Sequence, residues 1–415
     1  MPTRLLCGAA VYLFALTYRC LSHGFDTDDM MNLFGAWHRL PDQVRPVGAL
    51  FYRVVFEIAG FRPLAFHLAD FALIVLNLYL LTRLLQRLGR NPSITAAAVC
   101  FGCFQGTMWM IYASTGMVYD VLCATFFYAA ILVALERPSW WPVIGALHLL
   151  ALGSKELGAG LPAVLLAIHF LHRPLRWTAI GVTTLCSLGF AAQRFLIPGP
   201  LTGHPAYTPV LTMDRLLENI TVYTNMLFSF QIPFHAWSAA VFWLSLFALA
   251  AVFRCRRMLL GLLFFWFALG PMLTATPRHA GYVFYVPFAG LALAVGALAI
   301  RLRALAPPVR FVRPAMAAAF LLLVVFVHLK QRKAAFARGE HPAGMPVIRE
   351  LAMVRLPLAQ GQRVLLLNSP GIGYSYLGTF TLSLTHRVRD LTVDERPAGS
   401  PQDGYDHVLY FPAPR

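Results

Sequence analysis

Charged side chains are scarce in this sequence, and acidic side chains are the scarcest. Asp, Glu, Lys and Arg make up 13% of the 415 residues, and hydrophobic residues make up 58%, whereas an ordinary soluble domain carries about a quarter charged residues. The mean hydropathy is +0.63. These values exclude a cytosolic enzyme and a disordered chain, and they exclude a nucleic-acid-binding domain despite the net charge of +16. The composition predicts a polytopic membrane protein, whose basic residues collect in cytoplasmic loops.

Cysteine is also sparse. The seven cysteines are scattered, and nearly all lie within apolar runs, where a thiol packs as a small hydrophobic group. Cys100 and Cys103 have the CxxC spacing, but no histidine or second cysteine pair accompanies them. This pattern favours packing over redox chemistry or metal binding.

Apolar runs bounded by charge or proline predict about eleven transmembrane helices. The runs are 5–21, 64–82, 93–112, 116–135, 139–153, 156–172, 177–195, 237–253, 258–276, 281–300 and 314–329. With a cytoplasmic N-terminus, every inner loop contains arginine, as the positive-inside rule requires. The outer side then holds the long loops 22–63 and 196–236 and the C-terminal tail. The basic residues between Lys330 and Arg338 oppose this orientation. No cleavage-site pattern follows the first run, so we expect it to remain as a span.

The C-terminal tail has the pattern of a small α/β module. It contains an amphipathic stretch at 343–356, a strand at 364–368, a helix or turn, and strands near 387–393 and 407–411. Gly371-x-Gly373 after the first strand is interpreted as a simple turn and not as a phosphate loop. The predicted domains are a transmembrane domain over 1–330 and an extracytoplasmic tail over 331–415.

Three acidic residues crowd into the first outer loop, as Asp26, Asp28 and Asp29. Adjacent carboxylates repel each other and resist desolvation. The cluster is either a solvated acidic loop or a reactive site, with a general base or a partial divalent-metal site formed by Asp26 and Asp28. Asp28 has acidic neighbours at 26 and 29, so we expect its carboxylate to be harder to keep ionised than that of Asp29 and to be the better proton acceptor.

Four short segments occur in a characteristic order. They are Asp28-Asp29 with Arg45-Pro46, the segment Gly60 to His67 at the start of the second span, Ser154-Lys155-Glu156 in a tight outer turn, and the segment Arg278 to Gly290 that includes His279, Tyr282 and Tyr285. In this order the sequence resembles the GT-C membrane glycosyltransferases. It is most similar to the O-mannosyltransferase branch whose eukaryotic members carry tetratricopeptide repeats, and to the bacterial relatives of that branch. In two departures, His279 replaces the usual aromatic residue, and no such repeats follow.

The resemblance implies a GT-C fold and an enzyme that moves a mannose-like hexose from a polyprenyl phosphate to a hydroxyl outside the cytoplasm, by an inverting displacement. Asp28 or Asp29 is the implied general base. The implied ligands of the donor phosphate are Arg278, then Lys155, then Arg45. Supporting residues are Asp26, Glu156, His279, Tyr282 and His67. No soluble cofactor is implied, and a divalent metal is left open. The predicted location is a bacterial inner membrane with the site facing the periplasm, and the acceptor is an unidentified protein, lipid or polysaccharide.

Two other classes of protein fit parts of the pattern. A transporter or flippase for a lipid-linked sugar would need charged residues and broken helices within the membrane, but most charges here lie in loops. A non-catalytic scaffold would explain the tail but gives the acidic cluster no role. Single residues also have structural explanations: Lys155 and Glu156 neutralise each other in a turn, Arg278 and Tyr282 anchor a helix at the interface, and His67 packs between helices.

Overall fold

The computed structural model describes residues 2–38, 45–196, 208–228, 232–277, 280–306, 311–337, 346–368 and 376–411. These ranges are mainly helical. The helices are α1 Pro2–Thr17, α2 Thr27–His38, α3 Pro46–Ala59, α4 Pro63–Gly89, α5 Pro92–Gly102, α6 Trp109–Ala113, α7 Val118–Glu136, α8 Trp141–Ser154, α9 Leu161–Leu171, α10 Trp177–Leu196, α11 Met213–Leu227, α12 Ala236–Val252, α13 Arg256–Leu273, α14 Phe288–Leu305, α15 Val312–Ala337, α16 Pro346–Met353 and α17 Tyr376–His386.

Proline and short polar side chains set many of the helix starts. Helices α3, α5, α8 and α9 have proline in their first two positions, where the missing N–H has no intrahelical partner to lose. At α5 the carboxamide oxygen of Asn91 accepts hydrogen bonds from the N–H groups of Ser93 and Ile94. At α11 the hydroxyl oxygen of Thr212 accepts one from the N–H of Arg215. These caps satisfy donors that the helix leaves unpaired.

The prediction of a polytopic, mainly α-helical membrane protein is confirmed. Within the described residues, six helices are long and apolar enough to cross a membrane, or seven if the bent pair Pro92–Gly102 and Gly106–Ala113 counts as one span. Three further apolar helices are shorter: Trp141–Ser154, Glu156–Leu171 and Ala236–Val252. Together with α10, the helices and 3₁₀ turns cover most of each predicted run.

Two of the predicted runs are not continuous helices. The run 93–112 bends by 45° after Gly102. The run 281–300 opens with a 3₁₀ turn over Gly281–Phe284, and α14 begins only at Phe288. The two irregular segments lie against each other, since a Cβ on Gly281 would overlap the carbonyl oxygen of Thr107. Hydropathy predicts the apolar run but carries no information about such a backbone contact.

Both long loops contain helices that the apolar runs of the sequence do not predict. The loop 22–63 holds α2 and α3, and the loop 196–236 holds α11. These helices have 12, 14 and 15 residues, which is shorter than a membrane span needs.

The chain divides into two compact units. Unit 1 comprises Met1–Tyr18, Phe71–Tyr112 and Met117–Glu340, and unit 2 comprises Arg19–Asp70, Ala113–Gly116 and His341–Arg415. In unit 2 the tail residues are thus grouped with the first long loop. The two-domain division at residue 330 stays a prediction.

The tail of unit 2 contains a three-stranded parallel sheet in the order β2-β1-β3. The strands are β1 Arg363–Leu367, β2 Thr392–Arg396 and β3 His407–Tyr410. The central strand β1 is apolar and buried after its first residue, as expected for a strand with neighbours on both sides. The predicted strand near 387–393 is wrong in its start, because α17 continues to His386 and Arg387 takes a left-handed φ of 56°. Gly371 and Gly373 lie outside the described residues.

Candidate functional site

The acidic cluster of unit 2 forms the start of α2. The Asp29 N–H donates to Oδ1 of Asp26 over 2.8 Å, and the Asp26 N–H donates to Oδ2 of Asp29 over 2.9 Å. This reciprocal pair is a capping box, in which two residues three apart satisfy each other's backbone N–H groups. The spacing Asp26-x-x-Asp29 therefore has a structural role that charge crowding alone does not reveal.

The two adjacent carboxylates of the cluster have different environments. Asp29 is fully buried, whereas Asp28 is exposed. Oδ1 of Asp29 accepts a hydrogen bond from the Thr115 hydroxyl over 2.7 Å, and the Gly116 N–H also donates to this carboxylate. Burial, followed by repulsion from Asp26, raises the pKa of Asp29 well above its ordinary value, and these hydrogen bonds offset only part of that rise. The buried carboxylate with a raised pKa is thus Asp29, whereas the sequence had suggested Asp28 as the one harder to ionise.

A second polar cluster of unit 2 lies at the start of α4. The rings of His23 and His67 are 6.3 Å apart and perpendicular, and the His23 Nδ1 is 3.1 Å from the Ala113 carbonyl oxygen. Within the described residues, the buried atoms Nε2 of His67 and Oδ1 of Asp70 have no hydrogen-bond partner. The described part of the chain contains no group of three His, Cys, Asp or Glu side chains placed to hold a metal ion.

Lys155 is the centre of a polar cluster in unit 1. It lies in the turn between α8 and α9, where its backbone is extended. Its Nζ donates to Oδ2 of Asp120 over 2.9 Å, and both side chains are buried. The same Nζ lies 4.9 Å from the centre of the Tyr282 ring, a distance typical of cation–π contact.

Glu156 has a different partner from Lys155. Its Oε1 accepts from the Arg194 guanidinium over 3.3 Å. The alternative in which Lys155 and Glu156 neutralise each other is therefore wrong. Lys155 and Glu156 thus form separate ion pairs, of which the pair with Asp120 is buried and the pair with Arg194 is half-buried.

Asp120 is not among the candidate residues that the sequence pattern predicts. This carboxylate lies in the first turn of α7, within an apolar span, and it is fully buried. The available signal was its position, because an ionisable residue inside a membrane span is rare and usually has a partner or a function.

The remaining predicted residues are distributed over both units or lie outside the described residues. Arg45 is the half-buried N-cap residue of α3 in unit 2. Tyr282 lies in the 3₁₀ turn before α14. Tyr285 directly follows that turn, so neither tyrosine lies in an α-helix. Arg278 and His279 lie outside the described residues.

The fold matches the crystal structure of ArnT from Cupriavidus metallidurans bound to undecaprenyl phosphate, with a TM-score of 0.55 and 14% sequence identity. The match covers 94% of this chain and 85% of that chain. The chain has a GT-C-like fold. No protein-family model and no curated protein sequence matches the chain.

The GT-C part of the resemblance noted in the sequence is thus supported by the fold. The similarity to the O-mannosyltransferase branch stays a prediction.

Proposed function

We propose that this protein is a membrane glycosyltransferase that takes a mannose-like hexose from a polyprenyl phosphate and passes it to an acceptor hydroxyl outside the cytoplasm. The observation that carries the proposal is that 94% of the chain follows the fold of a protein solved with undecaprenyl phosphate bound. The bound molecule is the phosphate that departs when a polyprenyl-phosphate sugar donor reacts. The proposed location is a bacterial inner membrane with the reaction on its periplasmic side.

We assign the general base to Asp28. A base must reach the proton of an incoming hydroxyl, and Asp28 is exposed, whereas the carboxylate of Asp29 is buried and accepts hydrogen bonds from Asp26, Thr115 and Gly116. Asp29 then has the positioning role of fixing the start of α2. Attack of the hydroxyl on the sugar's anomeric carbon breaks the bond to phosphate, and Asp28 takes the hydroxyl proton.

The departing phosphate gains negative charge, which fixed cations stabilise. We assign Arg278 as its chief ligand, because a guanidinium forms paired hydrogen bonds with phosphate oxygens. Lys155 is the second candidate and Arg45 the third. Since Asp120 already compensates the charge of Lys155, Lys155 alone offers the phosphate a weaker attraction than an unpaired cation.

The test is an assay in proteoliposomes with polyprenyl-phosphate hexoses labelled in the sugar. Membranes from cells that lack the protein supply acceptors, and release of free polyprenyl phosphate is measured together with transfer of label. Release that depends on the protein supports the proposal. Movement of intact donor across the bilayer without release identifies a flippase, and neither event identifies a scaffold; both outcomes contradict the proposal.

Asp28→Asn identifies the base. We expect a loss of turnover of about 10²- to 10⁴-fold with the melting temperature nearly unchanged. The matched control is Asp214→Asn, because Asp214 is also an exposed carboxylate at the second position of a helix. Equal activity of the two variants would remove Asp28 from the mechanism.

Arg278→Lys separates a phosphate ligand from an interfacial anchor. Either cation can anchor a helix at the headgroups, but lysine cannot reproduce paired hydrogen bonds to phosphate. We therefore expect a higher apparent KM for the donor, a lower turnover, or both, with normal folding. Unchanged values of both would return Arg278 to the anchor role.

A further inference from the structure

A cavity of about 500 Å³ lies within unit 1, and none of the residues assigned to the candidate site lines it. Its walls come from the ends of α4, α9, α12 and α14 and from the starts of α5 and α13. Fourteen of the described residues line it; five of these are arginines and none is acidic. The arginines are Arg90, Arg254, Arg256, Arg257 and Arg301.

No carboxylate of the described residues compensates the charge of these arginines. Within the described part of the chain, none of the five forms an ion pair. In contrast, Arg83 and Arg87 on the last turns of α4 share the Glu136 carboxylate at 3.0 and 2.7 Å. Several like charges around one cavity repel each other, and an anion in the cavity would relieve this repulsion.

Two of the arginines are also held in an unfavourable backbone conformation. Arg90 and Arg254 both have a φ of 48°, and they follow the ends of α4 and α12. Glycine is the usual residue at this position after a helix, because the left-handed region is unfavourable for a residue with a side chain. Backbone strain of this kind is typical of functional positions. What these positions gain over glycine is a guanidinium beside the cavity.

The start of α13 places two further arginines in an unfavourable electrostatic environment. Arg256 and Arg257 are its first two residues, so their charges lie at the positive end of the helix dipole, where an anion is favoured instead. The unpaired N–H groups of that first turn are suited to phosphate oxygens.

We propose that this cavity binds the phosphate group of an anionic phospholipid from the cytoplasmic leaflet. Arginine is the side chain best matched to phosphate, and the volume suits a polyatomic headgroup. The arginines also belong to loops that the charge distribution places on the cytoplasmic side, where basic pockets between helices bind anionic headgroups. The inference does not depend on the transferase activity.

The test uses purified protein in detergent and native mass spectrometry. The probes are phosphatidylglycerol, phosphatidylcholine as the lipid without net charge, and inorganic pyrophosphate as a soluble phosphate. We expect selective retention of phosphatidylglycerol. Arg254→Gly and the double variant Arg256→Gln/Arg257→Gln should each reduce that retention about 10-fold, which corresponds to loss of a charge-assisted hydrogen bond. The matched control is Arg303→Gln, because Arg303 is on α14 near Arg301 but does not line the cavity.

Arg254→Gly separates binding from folding. Glycine relieves the left-handed strain, so the melting temperature in lipid-free detergent should stay the same or rise while retention of phosphatidylglycerol falls. Retention of phosphatidylglycerol that pyrophosphate does not displace supports a lipid source. If pyrophosphate displaces phosphatidylglycerol and its own binding depends on the same arginines, the cavity is a phosphate site whose ligand is a soluble phosphate and not a lipid. Equal retention by the cavity variants and Arg303→Gln would overturn the proposal.

Discussion

At the scale of single residues, the buried ion pair between Lys155 and Asp120 allows binding to be separated from folding. Lys155→Met leaves the Asp120 carboxylate buried without its cation, which typically costs about 3–5 kcal/mol. The double variant Lys155→Met/Asp120→Asn removes both charges, so we expect its melting temperature to recover most of that loss. Thermal unfolding in detergent measures this recovery.

The same double variant tests the role of Lys155 in the reaction. If its ammonium group binds the donor phosphate, recovered stability should not restore turnover. Turnover that returns with stability would make the ion pair purely structural, and the phosphate ligands would then be Arg278 and Arg45.

The raised pKa of Asp29 predicts a specific dependence of stability on pH. Its pKa in the folded protein is raised above its ordinary value of 3.8 by burial and by Asp26, so the folded state holds a proton that the unfolded state releases. Its contribution to stability is thus full below pH 3.8 and is lost as pH rises through the raised value. In Asp29→Asn, this titration is absent.

The measurement is the melting temperature of both proteins against pH. We expect the wild type to lose stability relative to Asp29→Asn as pH rises from about 4 towards neutrality. If the wild type instead gains stability relative to Asp29→Asn over this range, the hydrogen bonds from Thr115 and Gly116 lower the pKa of Asp29 more than burial raises it.

At the scale of secondary-structure elements, the contact between the 3₁₀ turn at Gly281–Phe284 and the bend after α5 is the tightest at any described glycine. A Cβ on Gly281 would overlap the carbonyl oxygen of Thr107, so Gly281→Ala must push the two segments apart. We expect it to lower the free energy of unfolding by about 1–3 kcal/mol. Because Gly281 is close in sequence to Arg278, we also expect a higher apparent KM for the donor.

Gly189→Ala is the control for Gly281→Ala. Gly189 is inside α10, where an added Cβ meets nothing within 4 Å. Alanine is favoured over glycine there by about 0.5–1 kcal/mol, so this variant should be neutral or slightly more stable. If Gly281→Ala is as stable as Gly189→Ala, the close contact of the two segments is not required.

At the scale of the whole molecule, the orientation in the membrane is testable by labelling. In a background without the seven native cysteines, we expect Met213→Cys, at the start of α11, to react with an impermeant maleimide from outside intact cells. Ser139→Cys, between α7 and α8, should react only after the membrane is opened. Both positions are exposed, so a difference reports on sidedness. The reverse pattern would invert the topology and exclude an extracytoplasmic reaction.

The sequence by itself determined the class of the protein and the positions of most helices. The apolar length of a membrane span is a local property, so hydropathy located α4, α7 and α15 without knowledge of their neighbours. The strand β1 was equally visible, as a short apolar run. The breaks in two runs were not predictable, because they depend on contact between Gly281 and Thr107, which are remote in the sequence.

Only the tertiary structure decided which polar groups act together. The sequence suggests Asp28 as the carboxylate that is harder to ionise, but Asp29 is the buried one because it meets Thr115, which is 86 residues away. Asp120 is a single acid in an apolar helix until Lys155, 35 residues later, comes within 2.9 Å. The arginines of three separate chain segments become one basic cavity only when their helix ends meet. Burial and ion pairing are properties of such long-range contacts, and composition and spacing do not encode them locally.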